Sequence, residues 1–379
     1  MDGMQHAHPS PGNPRPLRHA IVGIGAGILS AHLPALQQLA DITVVGGSDV
    51  NSAVGAARAQ ELGCPFFADH RQMLAATQPD VTVILTPHPF HAAISIDALN
   101  AGSHVLVEKP MAVQVREADA MIAAAQQQQR LLAINFQQRF RPEVEAARHL
   151  ITSGRLGEIQ RVTQVEPWLR TVAYYKSAGW RGTWQGEGGG VLMNQAPHSL
   201  DLLCHLVGLP KRVVAWNRTL RHHIEVEDTS MAMLEWANGA LGTIFFSTAE
   251  AGPRRIEIVG TGGILTIHED GTLRLQRYEP DLVEHIAHSP ERFAAPAIVD
   301  EPVALGNGLG KHIEVYQDFH RALREGMPVR ADGIEGRMSL ELANAIIYSS
   351  YTGAPVELPL DRAGYAALLA ELQAGTRKA

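Results

Sequence analysis

Cysteine is nearly absent from this chain, with Cys64 and Cys204 the only two in 379 residues. Two isolated thiols among apolar neighbours exclude a disulfide framework and a cysteine-ligated zinc site, and fit reduced thiols in a cytoplasmic protein. Long hydrophobic runs are missing too: none approaches the roughly 18 residues needed to cross a bilayer, so no membrane partner is expected. Nor is there a basic block. The 32 Lys and Arg are interspersed with 39 Asp and Glu for a net charge of −7, which leaves no electrostatic footprint for nucleic acid or anionic lipid. Residues 1–18 are rich in Pro, Gly and His, lack an apolar signal core, and read as a mobile tail. What remains is ordinary for a soluble globular protein, at 45% hydrophobic and 19% charged. The length exceeds what one core usually supports. Two domains are expected, at 19–140 and 141–379.

The first half carries a nucleotide-binding pattern. His19-Ala20-Ile21-Val22 reads as a strand running into Gly23-Ile24-Gly25-Ala26-Gly27, and residues 28–39 have helical spacing. Strand, glycine turn and helix together cradle a pyrophosphate on a helix N-terminus. The third glycine of the usual spacing would stand at Ile28; Gly27 falls one residue early, and a ligand-free tight turn is the alternative. Asp49 follows Gly25 by 24 residues (49 − 25), near the distance at which a carboxylate meets the ribose hydroxyls. It would favour NAD over NADP, while Ser48 leaves some tolerance for NADP. Its alternative role is N-cap of the helical run 52–62. An unbroken apolar strand at 81–85 ends in Thr86-Pro87-His88-Pro89-Phe90-His91, and Val105-Leu106-Val107 ends in Glu108-Lys109-Pro110. Strand ends of this kind line the ligand crevice of a doubly wound sheet. Thr86, Pro87, His91, Glu108 and Lys109 are therefore cofactor-side candidates, the alternative for Lys109 being a solvated surface lysine.

The second half reads as strands at 161–166, 229–236, 240–247, 255–259 and 264–268. Asn238-Gly239 is a hairpin signal, and helical runs lie at 312–325 and 337–350. Residues 280–309 lack periodicity and read as an irregular excursion or long loop. Gly188-Gly189-Gly190 lets backbone approach a ligand because no Cβ intervenes. Asn194 and His198, four apart, share one face of a helical turn, although Pro197 must either start a helix or kink one. Just upstream, Tyr174-Tyr175 and Trp180-Arg181 offer aromatic faces and a guanidinium suited to a sugar. The alternative is that Tyr175, Trp180 and Trp184 pack a junction between sheet and loops.

Taken in order from about 19 to 360, these segments resemble the Gfo/Idh/MocA family, named for glucose-fructose oxidoreductase and inositol dehydrogenase. The likeness rests on the glycine turn with His32-Leu33-Pro34, Thr86-Pro87 with His91, and Glu108-Lys109-Pro110. It continues through Asn135-Phe136-Gln137-Gln138-Arg139-Phe140, Ser153-Gly154-Arg155-Leu156-Gly157-Glu158 and the stretch from Gly188 to Asp201. The resemblance implies an α/β architecture: an N-terminal Rossmann doubly wound parallel sheet, then an α+β domain with a large, open, mostly antiparallel sheet. That sheet's outer face packs on another subunit in the family, so a homodimer or homotetramer is expected. The implied activity is NAD-dependent hydride transfer to or from a secondary alcohol of a sugar, polyol or glycoside. Lys109 would touch nicotinamide and substrate hydroxyl, and His198 would be the acid/base, its pKa naturally near neutrality. Asn194 would orient the hydroxyl from a position where many members carry aspartate, while Ala196 replaces a common glycine. Tyr175, Trp180 and Arg181 fall on the substrate side, and Arg139 at the domain junction is structural. Two rival readings are NAD-assisted glycoside hydrolysis or elimination, and a non-catalytic NAD-sensing regulator; retention of Lys109 and His198 speaks against the second. His88 with His91, and His222 with His223, lack the carboxylate or thiolate partners of a metal site, and none is expected.

Overall fold

A computed structural model describes residues 15–377. Most of the expected tail lies outside the described residues. Its last part does not behave as a tail, because Arg15 is bidentate on Asp80 at 2.7 Å and Leu17 and Arg18 already pair in the first strand. Among the described residues the strands form two sheets.

The first sheet is parallel, in the order β3-β2-β1-β4-β5-β6, from β1 (Leu17–Val22), β2 (Ile42–Ser48), β3 (Phe66–Phe67), β4 (Val81–Ile84), β5 (His104–Val107) and β6 (Leu132–Ile134). The order reverses between β1 and β4, so their carboxyl ends open the crevice where dinucleotides bind in such sheets. Both faces are covered by helices, which is why β4 and β5 are apolar without alternation.

The second sheet runs β14-β13-β12-β11-β7-β10-β9-β8-β15. It comprises β7 (Ile159–Pro167), β8 (Arg212–Arg218), β9 (Thr229–Glu235), β10 (Leu241–Ser247), β11 (Arg255–Gly260), β12 (Gly263–His268), β13 (Leu273–Glu279), β14 (Ala297–Glu301) and β15 (Val356–Glu357). β7 and β10 pair in parallel, and the other pairs are antiparallel. Alternation along β8, β9 and β10 buries one face and exposes the other.

The segment expected to be an irregular loop at 280–309 instead carries the helix Leu282–His288 and edge strand β14. β14 is exposed along nearly its whole length, so no burial pattern marks it. Pairing with β13 and the ion pairs Arg274–Asp300 and Arg155–Glu301 hold it in place.

The long helix Gly333–Thr352 joins the two halves. Its Leu340, Leu342, Ala343 and Ile346 are buried in the same apolar cluster as residues from both domains. Asn344 accepts from the Val115 N–H at 3.0 Å and donates to the Val113 carbonyl at 3.3 Å, clamping the loop after Pro110. Arg139, 1% exposed, is bidentate on Asp201 at 2.6 and 2.9 Å and also pairs with Glu335. Its role is the structural one expected of it.

Candidate active site

The dinucleotide end is built by the first strand-turn-helix. The Gly23 N–H donates to the Ser48 carbonyl at 2.8 Å, so Ser48 braces the turn with its backbone while its side chain is buried. Asp49 closes over the same turn. Its Oδ2 accepts the Gly25 N–H at 2.7 Å and its Oδ1 the Asn51 N–H at 2.8 Å. The alternative N-cap role belongs to Asn51, whose side chain accepts from Val54 at the head of the helix Ser52–Leu62. A Cβ on Gly25 would lie 2.8 Å from the Asp49 carboxylate, whereas one on Gly27 meets nothing within 4 Å. Gly27 and Ile28 are exposed beside a half-buried Ala26, and the helix Leu29–Gln38 begins without a side-chain cap. An open, uncapped helix start next to a glycine of this kind fits an anionic pyrophosphate. Thr86, at the end of β4, has a buried hydroxyl without a partner, and Pro87 leads on to His88.

His91 is not placed as a cofactor contact. It is fully buried, with one ring nitrogen 2.7 Å from the Thr86 carbonyl and the other 2.8 Å from the Pro110 carbonyl. It straps together the two strand-end loops that carry the site.

Across the crevice, the end of β5 meets the glycine-rich segment. Glu108 is a buried hub. Its Oε1 takes His32 Nε2 at 2.8 Å and the Asn135 amide, and its Oε2 takes the Lys109 N–H at 3.2 Å. Burial opposes its charge, but His32, Lys109 and Asn135 outweigh that and hold it well below the carboxylate range. Glu108 thus positions Lys109 from behind. The Lys109–Pro110 bond is cis. Lys109 Nζ donates to the Asn194 carbonyl at 3.1 Å, bringing the two domains together at the site. Burial lowers the pKa of Lys109, while Glu108 and Glu187 act to raise it.

Asn194 and His198 do not share a helix. A short turn, Val191–Asn194, ends before Pro197 starts the helix Pro197–Val207. Among the described residues no hydrogen bond joins the two side chains. The Asn194 amide instead donates to Glu187, a buried carboxylate that sequence reading passed over. The His198 ring packs edge-on to Phe136 at 5.9 Å, and its Nδ1 is buried without a partner. A pKa near neutrality does not survive there: burial, then nearby Lys109, pushes it down to about 3. His88 is also at the site, its Nδ1 3.4 Å from the Glu187 carbonyl and its ring edge-on to Trp180 at 6.3 Å.

The glycine run serves a different purpose from the one expected. A Cβ on Gly188 would lie 2.8 Å from the Val113 side chain, and one on Gly190 would lie 1.8 Å from the Glu227 carbonyl oxygen. The neighbours are protein atoms, so the run lets chain segments pack rather than shelving a ligand. Glu227 accepts the Gly190 and Leu192 N–H groups at 2.9 and 3.1 Å, and burial raises its pKa to about 7.

On the aromatic wall the structure favours Tyr174 over Tyr175. The Tyr175 hydroxyl bonds Thr248 at 2.8 Å and its ring lies 4.7 Å from His222, which is the packing alternative. Tyr174 accepts from Arg181 at 2.5 Å and from Gln195 at 2.9 Å. The Arg181 guanidinium sits 4.3 Å from the Tyr174 ring and 4.5 Å from the Trp180 ring, with its Nε unpartnered. Trp184, 4% exposed and bonded to the Glu225 carbonyl, packs the junction. A histidine–carboxylate group does occur, at His32, Glu108 and His312 with ligand atoms within 4.8 Å of one another. Its shared Glu108 oxygen is already taken by His32 and Asn135.

Comparison with known proteins identifies the family. The description "Oxidoreductase family, NAD-binding Rossmann fold" matches residues 17–136, and "GFO/IDH/MocA C-terminal domain" matches 144–266. D-glucoside 3-dehydrogenase of Escherichia coli K12 is 27% identical over 354 residues, spanning 90% of this chain and 98% of that protein. Levoglucosan dehydrogenase of Pseudarthrobacter phenanthrenivorans is 27% identical, spanning 74% of this chain and 81% of its own. The structure of the WlbA dehydrogenase from Bordetella pertussis in complex with NADH and UDP-GlcNAcA superposes with a TM-score of 0.78 at 30% identity, covering 92% of this chain and 100% of that one. With each half matched by the corresponding domain description and the likeness running the length of these dehydrogenases, the chain belongs to the Gfo/Idh/MocA family of NAD-binding oxidoreductases.

Proposed function

We propose that this chain oxidises a secondary alcohol of a sugar or glycoside with NAD. The observation that carries the reading is the Lys109–Asn194 contact, which sets the lysine at the end of β5 against the segment bearing Asn194 and His198. The names of the two curated relatives and the nucleotide-sugar acid beside NADH in the WlbA structure support a carbohydrate substrate.

NAD supplies the hydride acceptor when bound. Gly25, Ala26, Gly27 and Ile28 would hold its pyrophosphate at the open helix start, Asp49 its ribose, and Thr86 and Pro87 would flank it. Lys109 would stabilise negative charge developing on the substrate oxygen. Asn194, whose amide nitrogen is committed to Glu187, presents its Oδ1 as acceptor and so orients a donating hydroxyl. His198 is neutral at physiological pH, and its Nε2, with no hydrogen bond among the described residues, is the atom that would take the proton. Trp180, Arg181 and Tyr174 offer stacking faces and donors to the ring.

The test is NADH formation across a panel of sugars and glycosides. His198→Ala should cut turnover about 10²-fold or more while NADH titration by fluorescence stays unchanged. An unimpaired His198→Ala enzyme would remove the base assignment. Glycoside cleavage without net NADH would replace simple oxidation by transient oxidation, and failure to turn over any carbohydrate would remove the substrate class.

A second copy of the chain is also part of this reading. The open face of the second sheet bears a row in register, Trp216 opposite Met231, Met231 opposite Phe245, and Phe245 opposite Val165. Trp216 is 47% and Met231 46% exposed in the single chain, as suits a face that a partner subunit covers. Sedimentation as a monomer would refute it. Two free thiols, one of them buried, support a reducing compartment such as the cytoplasm.

A further inference from the structure

We propose that Glu187 is the positioning residue of this site, fixing the amide of Asn194, the residue whose carbonyl holds Lys109 Nζ. The inference rests on the dehydrogenase reading above and deepens it.

Glu187 is a lone charge at the end of a four-residue helix, Trp184–Glu187, with the glycine run directly behind it. It is 1% exposed, yet both carboxylate oxygens are engaged. Oε2 accepts the Gly182 N–H at 2.5 Å, and Oε1 accepts the Asn194 amide. The backbone contact fixes the carboxylate, so Oε1 dictates which way the Asn194 amide faces. With a carboxylate as partner the amide nitrogen has to point at Glu187, and Oδ1 is left as the acceptor toward the crevice. A neutral partner would permit either orientation.

The second consequence concerns Lys109. Its ammonium is desolvated, and Arg170 and Arg181 press further against its charge. Glu108 and Glu187 are the two carboxylates that oppose this loss. Glu108 is already shared among His32, Asn135 and the Lys109 N–H. Burial raises the pKa of Glu187 above the usual carboxylate value, while the Gly182 N–H, the Asn194 amide, Arg181 and Lys109 favour its ionised form. Glu227, the next buried carboxylate, feels Glu187 as a repelling neighbour. His88 and His198 complete the surroundings as neutral rings. Glu187 thus holds the Asn194 amide while the Asn194 carbonyl accepts from Lys109 Nζ at 3.1 Å.

The experiment uses the full-length protein and its Glu187→Gln and Glu187→Asp variants. Lys109 is followed by reductive ¹³C-methylation and NMR titration, its resonance assigned with Lys109→Arg; this readout needs no turnover. In Glu187→Gln the Lys109 titration should move to lower pH, and with it the alkaline limb of kcat/KM. The kcat should fall about 10-fold or more, the scale of a misplaced reacting group, with NADH binding kept. Glu187→Asp keeps the charge near Lys109 but is one methylene short of Asn194, so the Lys109 titration should stay in place while kcat falls. An unmoved Lys109 titration in folded Glu187→Gln overturns the proposal. Should Glu187→Gln fail to fold, wild-type kcat in Glu187→Asp overturns it equally. A wild-type protein that turns over no sugar, yet shows the Lys109 shift, sinks the dehydrogenase reading and leaves the Glu187 coupling supported.

Discussion

We propose that Asp49 governs the choice between NAD and NADP. Asp49 stands at the end of β2 with both oxygens already facing backbone N–H groups at the glycine turn. A 2′-phosphate brought there would meet a fixed negative charge, whereas a ribose diol could donate to it. Asp49→Ser should therefore lower kcat/KM for NAD roughly 10- to 100-fold, the equivalent of about 1.5–3 kcal/mol for hydrogen bonds to a charged acceptor, and raise it for NADP. Steady-state rates with each cofactor read this directly, and an unchanged ratio would remove Asp49 from the ribose site. Asp49 was legible as a ribose candidate because the strand-turn-helix unit fixes where a carboxylate must fall. Glu187 was not, since its partner Asn194 arrives only through the fold. A single charge inside Gly186-Glu187-Gly188-Gly189-Gly190-Val191-Leu192 was the available signal. Tyr174 and Tyr175 were equally ambiguous: adjacent residues of one type differ only in which way the backbone turns them.

At the scale of elements, the glycine run and the helices behind it show why a correct motif can carry an incorrect reason. The sequence marks a close approach at 188–190, and the approach is real, but Val113 and the Glu227 carbonyl make it. Gly190→Ala should consequently damage folding more than it damages any ligand contact. Its new Cβ would lie 1.8 Å from a backbone oxygen, so the backbone must shift, at a cost of about 3 kcal/mol or more. Gly353→Ala is the control. That glycine ends the helix Gly333–Thr352 at φ +67 with open space around a built Cβ, and alanine there should cost only about 1 kcal/mol. Denaturant unfolding of the two variants compares them, and equal losses would reject the packing explanation. Periodicity located β7 and β9 to β12, because burial on one face imprints the pattern, but β8 was passed over although it alternates as well. It missed β14, which is held by backbone pairing and surface ion pairs that leave no hydrophobic imprint. Pro197 likewise signalled a helix start without saying that Asn194 would lie on a separate turn.

For the whole molecule, the histidines set the response to acid. His19, His88 and His198 are each pushed down to about 3, chiefly by burial. His19 shares a 3.1 Å contact between Nε2 atoms with His320, an arrangement that needs one proton between two neutral rings. A histidine whose folded pKa lies below its unfolded value contributes stability above pH 6.5 that drains away as the pH falls toward the folded value. Each would remove roughly 1 kcal/mol per pH unit across that window. Glu227 acts in the opposite sense. Its folded pKa of about 7 stands above the unfolded value of 4.5, so its contribution is complete below pH 4.5 and is lost as pH rises through 7. His205, also at about 3, and His104 and His312, at about 4, act in the same sense as His19, His88 and His198. Together they outweigh the raised carboxylates Glu166, Glu187, Asp201 and Glu227, so the melting temperature should fall on acidification from pH 6.5 to 5. Replacing Glu227 by Gln keeps an oxygen for the Gly190 and Leu192 N–H groups while abolishing the titration. Glu227→Gln should then melt higher than the wild type at pH 8 and lose stability more steeply below pH 6.5. Thermal melts of both proteins at pH 8, 6.5 and 5 decide the point: a wild-type melting temperature that rises on acidification would mean the buried rings are not the controlling charges.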